Sequence, residues 1–355
     1  MKNLFKNSRI HIAMVLVVAL SLLGLAACGG GNASGSTGNT NSVTEFRLAH
    51  FWPASHPAET ELIQPWIAAI EEATNGRIKI ISHPGETLAQ ADAIYEGVKK
   101  GIADIGLSCF SYTRGQFPIM EVFELPGVIY NTSEAASRVA WEGAKLLNPV
   151  EIQDTTMFMI FTTGPGALFT KSPVTKISDM KGLEIRATGL SAATLSALGA
   201  SPVAMSQAEA YEAISKGVVN GNLGPIEVLK GWGQAEVTEY ITSTPFLYNT
   251  LFFFTMNTDK WNSISPEDQQ IILEVNQRFF DEVACGLWDK QNADAFTYAV
   301  DEKGLEYIEL SDQEKEVWIN LVKPVQDDFV SRMDAQGFAG REILDTVLDL
   351  AAKYE

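Results

Sequence analysis

The stretch Tyr95-Glu96-Gly97-Val98-Lys99-Lys100-Gly101-Ile102-Ala103-Asp104 has an echo later in the chain. It returns as Tyr211-Glu212-Ala213-Ile214-Ser215-Lys216-Gly217-Val218-Val219-Asn220. Each copy reads as an amphipathic helix, a Lys-Gly stop and the start of a strand. Gly101 and Gly217 fall at the helix C-terminus, where the backbone turns to positive φ and glycine meets no steric penalty. Any α/β chain repeats helix, glycine and strand. The shared Tyr-Glu and Lys-Gly at matching offsets argue further, for two topologically related lobes. A cleft between two such lobes is a common binding architecture, and ligands of open α/β sheets sit at the carboxyl ends of strands.

Working outward, the alternation continues. Phe46 to Ala49 reads as a strand, Pro57 to about Thr74 as a helix, Arg77 to Ser82 as a strand, Ala91 to Lys100 as a helix and Ala103 to Leu107 as a buried strand. A second series begins near Thr156, with strands at 157–162, 167–170, 183–187 and 221–223 and helices at 191–198 and 211–216. Leu251 to Met256 (LFFFTM) is a strongly apolar strand. This rhythm predicts parallel pairing and an α/β architecture. The last third reads as helix: Pro266 to about Phe296, Ser311 to about Met333, and Arg341 to Ala352. The expected division is 44–160 for the first lobe (with later crossing segments), 161–260 for the second, and 261–355 for C-terminal helices packing on both.

Residues 1–27 are a sorting signal, not fold. Lys2, Lys6 and Arg9 precede an apolar run from Ile12 to Leu25 that is too short for a comfortable bilayer span of about 20 residues. The run ends in Leu25-Ala26-Ala27-Cys28, which resembles a bacterial lipobox in which Cys28 becomes the lipidated first residue. An uncleaved anchor is the alternative, and either places the folded part outside the cytoplasmic membrane. Residues 28–43 are a Gly/Ser/Asn/Thr-rich flexible tether.

The 355 residues are 46% hydrophobic and 20% charged, an ordinary globular composition with room for two cores. Asp and Glu number 44 against 26 Lys and Arg, a net charge of −18. That field opposes a nucleic-acid partner, although a small anion sees only its local site. Cys109 and Cys285 lie far apart in apolar surroundings and read as buried free thiols. No Cys/His cluster suggests a metal, and no cofactor is expected. The chain has no HExxH, GxSxG, GxxxxGK[ST] or strand-following GxGxxG. Gly164-Pro165-Gly166 is a turn.

Candidate site residues come from loops after strands. Phe51 and Trp52 follow the first strand, and either line the cleft or pack the lobe edge. Phe110 and Tyr112 follow the 103–107 strand and are wall candidates. Arg186 ends the apolar strand before Ala187-Thr188-Gly189. Its guanidinium fork suits a carboxylate, and a structural ion pair between lobes is the alternative.

KGLEIRATG (181–189), ALGASPVAMSQAEAYEAISKGVVNG (197–221) and MNTDKWNSI (256–264) resemble the DctP-type substrate-binding subunits of tripartite ATP-independent periplasmic (TRAP) transporters. The similarity runs from FRLAHFWPASHP (46–57) to the C-terminal helices. It implies a two-lobed periplasmic-binding-protein, or Venus-flytrap, fold with a long helix linking the lobes, for which Pro266–Phe296 is the candidate. It also implies a receptor that closes on an organic acid and delivers it to membrane subunits driven by an ion gradient. The family's carboxylate-clamping arginine falls on Arg186.

Two departures bear on the ligand. Relatives often carry Asn-Pro after the next strand, and here Gly224 stands in place of that Asn, before Pro225. A polar residue on the middle strand is replaced near Thr162-Thr163. With fewer polar anchors, and with Phe51, Trp52, Phe110, Tyr112 and Phe253 crowding the cleft, the expected ligand is a monocarboxylate with an apolar or aromatic tail. Thr163 and Gly224 complete the expected lining. Partners are then the ligand, the TRAP membrane subunits and, through Cys28, a membrane. An exported lyase or hydrolase using His50 or Tyr112 as acid or base, or a sensor subunit of a signalling system, are the alternatives.

Overall fold

A computed structural model describes residues 43–354. The expected sorting signal, Cys28 and the expected tether up to residue 42 lie outside the described residues. Among the described residues there are eleven strands: β1 (Thr44–His50), β2 (Ile78–His83), β3 (Ile105–Cys109), β4 (Thr156–Thr162), β5 (Ala167–Thr170), β6 (Glu184–Ala187), β7 (Ser201–Ala204), β8 (Gly221–Gly224), β9 (Tyr240–Ser243), β10 (Leu251–Met256) and β11 (Glu306–Glu309). They form two sheets, in the orders β2-β1-β3-β10-β4 and β11-β9-β5-β8-β6-β7.

Read from its other end, the second sheet repeats the first. β1 is parallel to β2 and β3, as β6 is to β7 and β8. β10 runs antiparallel between β3 and β4, and β5 antiparallel between β8 and β9. The two echoed stretches lead into β3 and β8, which hold equivalent central places. All-parallel pairing therefore fails at one strand per sheet. The range 161–260 expected for the second lobe includes Leu251–Met256, yet that strand lies in the first sheet. The C-terminal third, expected to be helical, also supplies the edge strand β11.

Two crossings join the lobes. The first passes from β4 to β5 through Thr163–Gly166, and the second from β9 to β10. They are stitched together: Thr163 N donates to Thr250 O at 3.1 Å, and Thr250 N donates to Thr163 Oγ1 at 3.2 Å. Gly166 is required here by close approach. A Cβ on it would stand 2.5 Å from both Gly224 O and the Tyr248 ring.

A third link is the helical path from Pro266. Ser265 caps it by accepting from Asp268 N, and Pro266 occupies its first turn, where no N–H is needed. Helices Pro266–Phe279 and Leu287–Thr297 are joined by the π turn Phe280–Ala284 and followed by a second, Tyr298–Glu302. The path thus runs past the expected end at Phe296. Ile272, Phe279, Phe280 and Trp288 pack into the core of the first sheet, while Ala299 packs with Phe169, Ile241 and Leu305 on the second.

Strand periodicity sorts the side chains around the cleft. Phe252 and Phe254 belong to one face of the first sheet and Leu251 and Phe253 to the other. On β6, Ile185 and Ala187 face the core of the second lobe, which leaves Arg186 on the opposite face.

Candidate functional site

Arg186 is 2% exposed. Its Nε donates to Met205 O at 3.1 Å and its Nη1 to Asn222 Oδ1 at 3.4 Å. Asn222 is held in turn, donating from Nδ2 to Gln234 Oε1 at 3.0 Å. Among the described residues no carboxylate forms an ion pair with Arg186, so the structural ion pair considered above is not found. A buried guanidinium without a counter-ion is costly to maintain. It is offset when an anion enters.

The surrounding cavity lies between the lobes. Phe51, Trp52, Cys109, Tyr112 and Phe252 come from the first sheet and its loops. Arg186, Thr188, Gln207, Glu227 and Trp232 come from the second, and Thr163, Tyr248 and Thr250 from the crossings. About 320 Å³ of unfilled space lies between these atoms, much of it in crevices too narrow for a water molecule. Phe51 packs on Trp52 with ring centroids 4.2 Å apart, lies parallel to Trp232 at 6.2 Å, and meets Tyr112 edge-on at 5.4 Å. An aromatic guest would find rigid, largely apolar walls.

Polar contacts bridge the lobes around this space. Tyr112 Oη accepts from Gln207 N at 3.1 Å, and His56 Nε2 meets Glu227 Oε2 at 3.1 Å. Burial raises Cys109, Tyr112 and Tyr248 above their ordinary ranges, outweighing the downward pull of the Arg186 charge. They are therefore neutral near pH 7 and bring no charge of their own to the arginine.

The structure brings Phe51, Trp52, Tyr112, Thr163 and Arg186 together at the cavity. It does not bring Phe110 or Phe253 there. Phe253 points to the far face of β10, where it packs with Phe110 at 5.3 Å and with Tyr95 at 5.3 Å. Gly224 is not in the lining either. A Cβ on it would lie 3.0 Å from Asn222 Nδ2, so the side chain of Asn222 already occupies that face of β8. Asn222 holds the guanidinium from the same face of β8 but lies outside the cavity lining. Strand alternation could have found Asn222, since positions 222 and 224 share a face. Phe252, Trp232, Tyr248 and Glu227 were also missed. Of these, only Phe252 had a local signal, its place in LFFFTM.

His50, an acid–base candidate under the enzyme alternative, is buried outside the cavity, with Nε2 2.9 Å from Glu59 Oε2 and 3.1 Å from Ser82 Oγ. Burial alone would raise Glu59, but the bonds from His50, Gln64 and Ser82 keep it below the ordinary value. Cys109 and Cys285 are free and buried. Among the described residues no cluster of metal-ligating side chains is present, and no helix is long and apolar enough to cross a membrane.

Known proteins share this fold. A TRAP solute-binding protein from a marine metagenome, specific for aromatic acid ligands and solved with metahydroxyphenylacetate, is 27% identical. It superposes with a TM-score of 0.83, covering 88% of this chain and 99% of its own. A TRAP solute-binding protein from Rhodoferax ferrireducens, solved with copurified benzoate, is 26% identical with a TM-score of 0.82, covering 88% of this chain and 98% of its own. The C4-dicarboxylate-binding periplasmic protein DctP of Rhodobacter capsulatus is 26% identical over 274 residues, 76% of this chain and 81% of the relative. These are solute receptors rather than enzymes. The model of the DctP family, bacterial extracellular solute-binding protein family 7, matches residues 48–332, and the chain belongs to that family.

Proposed function

We propose that this chain is the extracytoplasmic receptor of a TRAP transporter for a small aromatic monocarboxylate. Arg186 takes the carboxylate, and Phe51, Trp52, Trp232 and Phe252 enclose the ring. The observation that carries this reading is a buried, uncompensated guanidinium facing a small aromatic-walled space. The aromatic acids bound by the marine and Rhodoferax relatives support the same class. Binding shifts the lobes toward closure about the two crossings, and the closed form is what the membrane subunits receive. A highly hydroxylated sugar acid suits this site poorly, since its many hydroxyls would be buried without partners.

The test is a thermal-shift panel of benzoate, mandelate, 3-hydroxyphenylacetate, succinate and gluconate. A ligand that binds the folded state alone raises the melting temperature by mass action. The aryl acids should raise it most. Gluconate giving the largest shift would overturn the proposal. The Leu25-Ala26-Ala27-Cys28 sequence supports a lipid anchor on Cys28. Intact-mass measurement of the protein from its native membrane should show the diacylglyceryl mass, and a soluble, unmodified product would refute it.

A further inference from the structure

We propose that the cavity has a second polar pole, Glu227 with Trp232, which receives a hydroxyl group, so that the preferred ligand is a hydroxy-substituted aromatic carboxylate. This deepens the Arg186 reading and rests on it.

Three observations lead there. First, Glu227 is 4% exposed and lines the cavity, but it pairs with His56 and not with Arg186. Ala58 N donates to His56 Nδ1 at 3.0 Å, so that nitrogen carries no proton and Nε2–H is the donor to Glu227 Oε2. Glu227 Oε1 takes part in no hydrogen bond among the described residues, and unlike the Trp232 indole N–H it is not shut off from solvent. Second, the Trp232 indole N–H is buried and likewise without a partner. Third, the two groups are neighbours. Both lie on the short segment following β8, and both pack against His56, whose ring centroid is 5.8 Å from that of Trp232.

One unpaired acceptor beside one unpaired donor is the complement of a hydroxyl, which donates one hydrogen bond and accepts others at a single atom. An aryl amine, whose lone pair is drawn into the ring, would donate to Glu227 but leave the indole N–H unpaired. A methoxy group would satisfy the indole alone. A bare ring carbon would cover both and leave them unpaired, the costly case. Sites built to bond a hydroxyl discriminate strongly against analogues that lack it.

The experiment is calorimetric titration of the purified protein with benzoate, the three hydroxybenzoates, and the matching methoxy- and aminobenzoates. At least one hydroxybenzoate should bind tenfold or more tightly than benzoate, its methoxy and amino counterparts should lose that gain, and Glu227→Gln should bring the hydroxybenzoate-to-benzoate ratio close to one. If benzoate binds as tightly as every hydroxybenzoate, the second pole is refuted and Arg186 stands. A ratio unchanged by Glu227→Gln, or an aminobenzoate matching the best hydroxybenzoate, also refutes it. If no acid in the series binds, both readings fall.

Discussion

Asn222 Oδ1 accepts from Arg186 Nη1 at 3.4 Å, from a strand position two residues before the glycine where the resemblance had placed the lost asparagine. Asn222 steadies the guanidinium from one face of β8 and does not itself line the cavity. Hydrogen bonds to charged groups contribute roughly 1.5–3 kcal/mol, and at this length the lower end applies. Asn222→Ala should weaken benzoate binding about tenfold. Asn222→Asp should weaken it more, because it sets an anion beside Arg186 that competes with the ligand. Calorimetry that ranked Asp above Ala would contradict this arrangement.

The first crossing is tightly packed. Gly166→Ala drives a methyl to 2.5 Å from Gly224 O, so the strands must shift. Overpacking of this kind costs about 1–3 kcal/mol. Urea denaturation should show a lower midpoint for the variant. An unchanged midpoint would mean that the crossing is loose.

Glu124 is buried and accepts from Leu251 N at 2.8 Å. Burial pushes its carboxyl up to about 8 from an ordinary value of 4.5. The folded state therefore keeps a proton that the unfolded chain releases, and this group's contribution to stability falls as pH rises from about 4.5 to 8. Glu151 is also pushed up by burial, to about 7, and acts in the same direction. The informative quantity is therefore a difference. Wild type should lose stability relative to Glu124→Gln between pH 5 and pH 8 in thermal melts. Parallel curves would show that Glu124 is ionised in the fold.

Trp52 and Trp232 line the cavity, whereas Trp141 packs beside Phe280, outside its lining. Saturation with benzoate should change tryptophan emission. The change should shrink in Trp52→Phe and Trp232→Phe and persist in Trp141→Phe. An emission spectrum unaffected at saturation would remove both indoles from the binding wall.

What the sequence revealed followed physical reach. The Tyr95 and Tyr211 echoes fall within single supersecondary units, so local pattern exposed the lobe symmetry. The place of Leu251–Met256 depends on a pairing with Ile105–Cys109 across the chain, which an apolar run cannot announce. Tyr240–Ser243, at four residues, is too short to display alternation. The strand-ending position of Arg186 left a structural ion pair open, and it was the resemblance that marked this arginine as the expected carboxylate clamp. Phe110 and Phe253 misled because aromatic residues at strand ends look alike whichever face they take, and one residue of register decides it. Glu227 and Trp232 carry no periodic signal, since their pairing with His56 exists only when the lobes meet.

The most direct test is calorimetric titration of Arg186→Ala with benzoate. Removing one partner of a buried charge pair costs about 3–5 kcal/mol, so affinity should fall at least a hundredfold while circular dichroism remains that of the wild type. A correctly folded Arg186→Ala protein that binds benzoate with wild-type affinity would contradict the account.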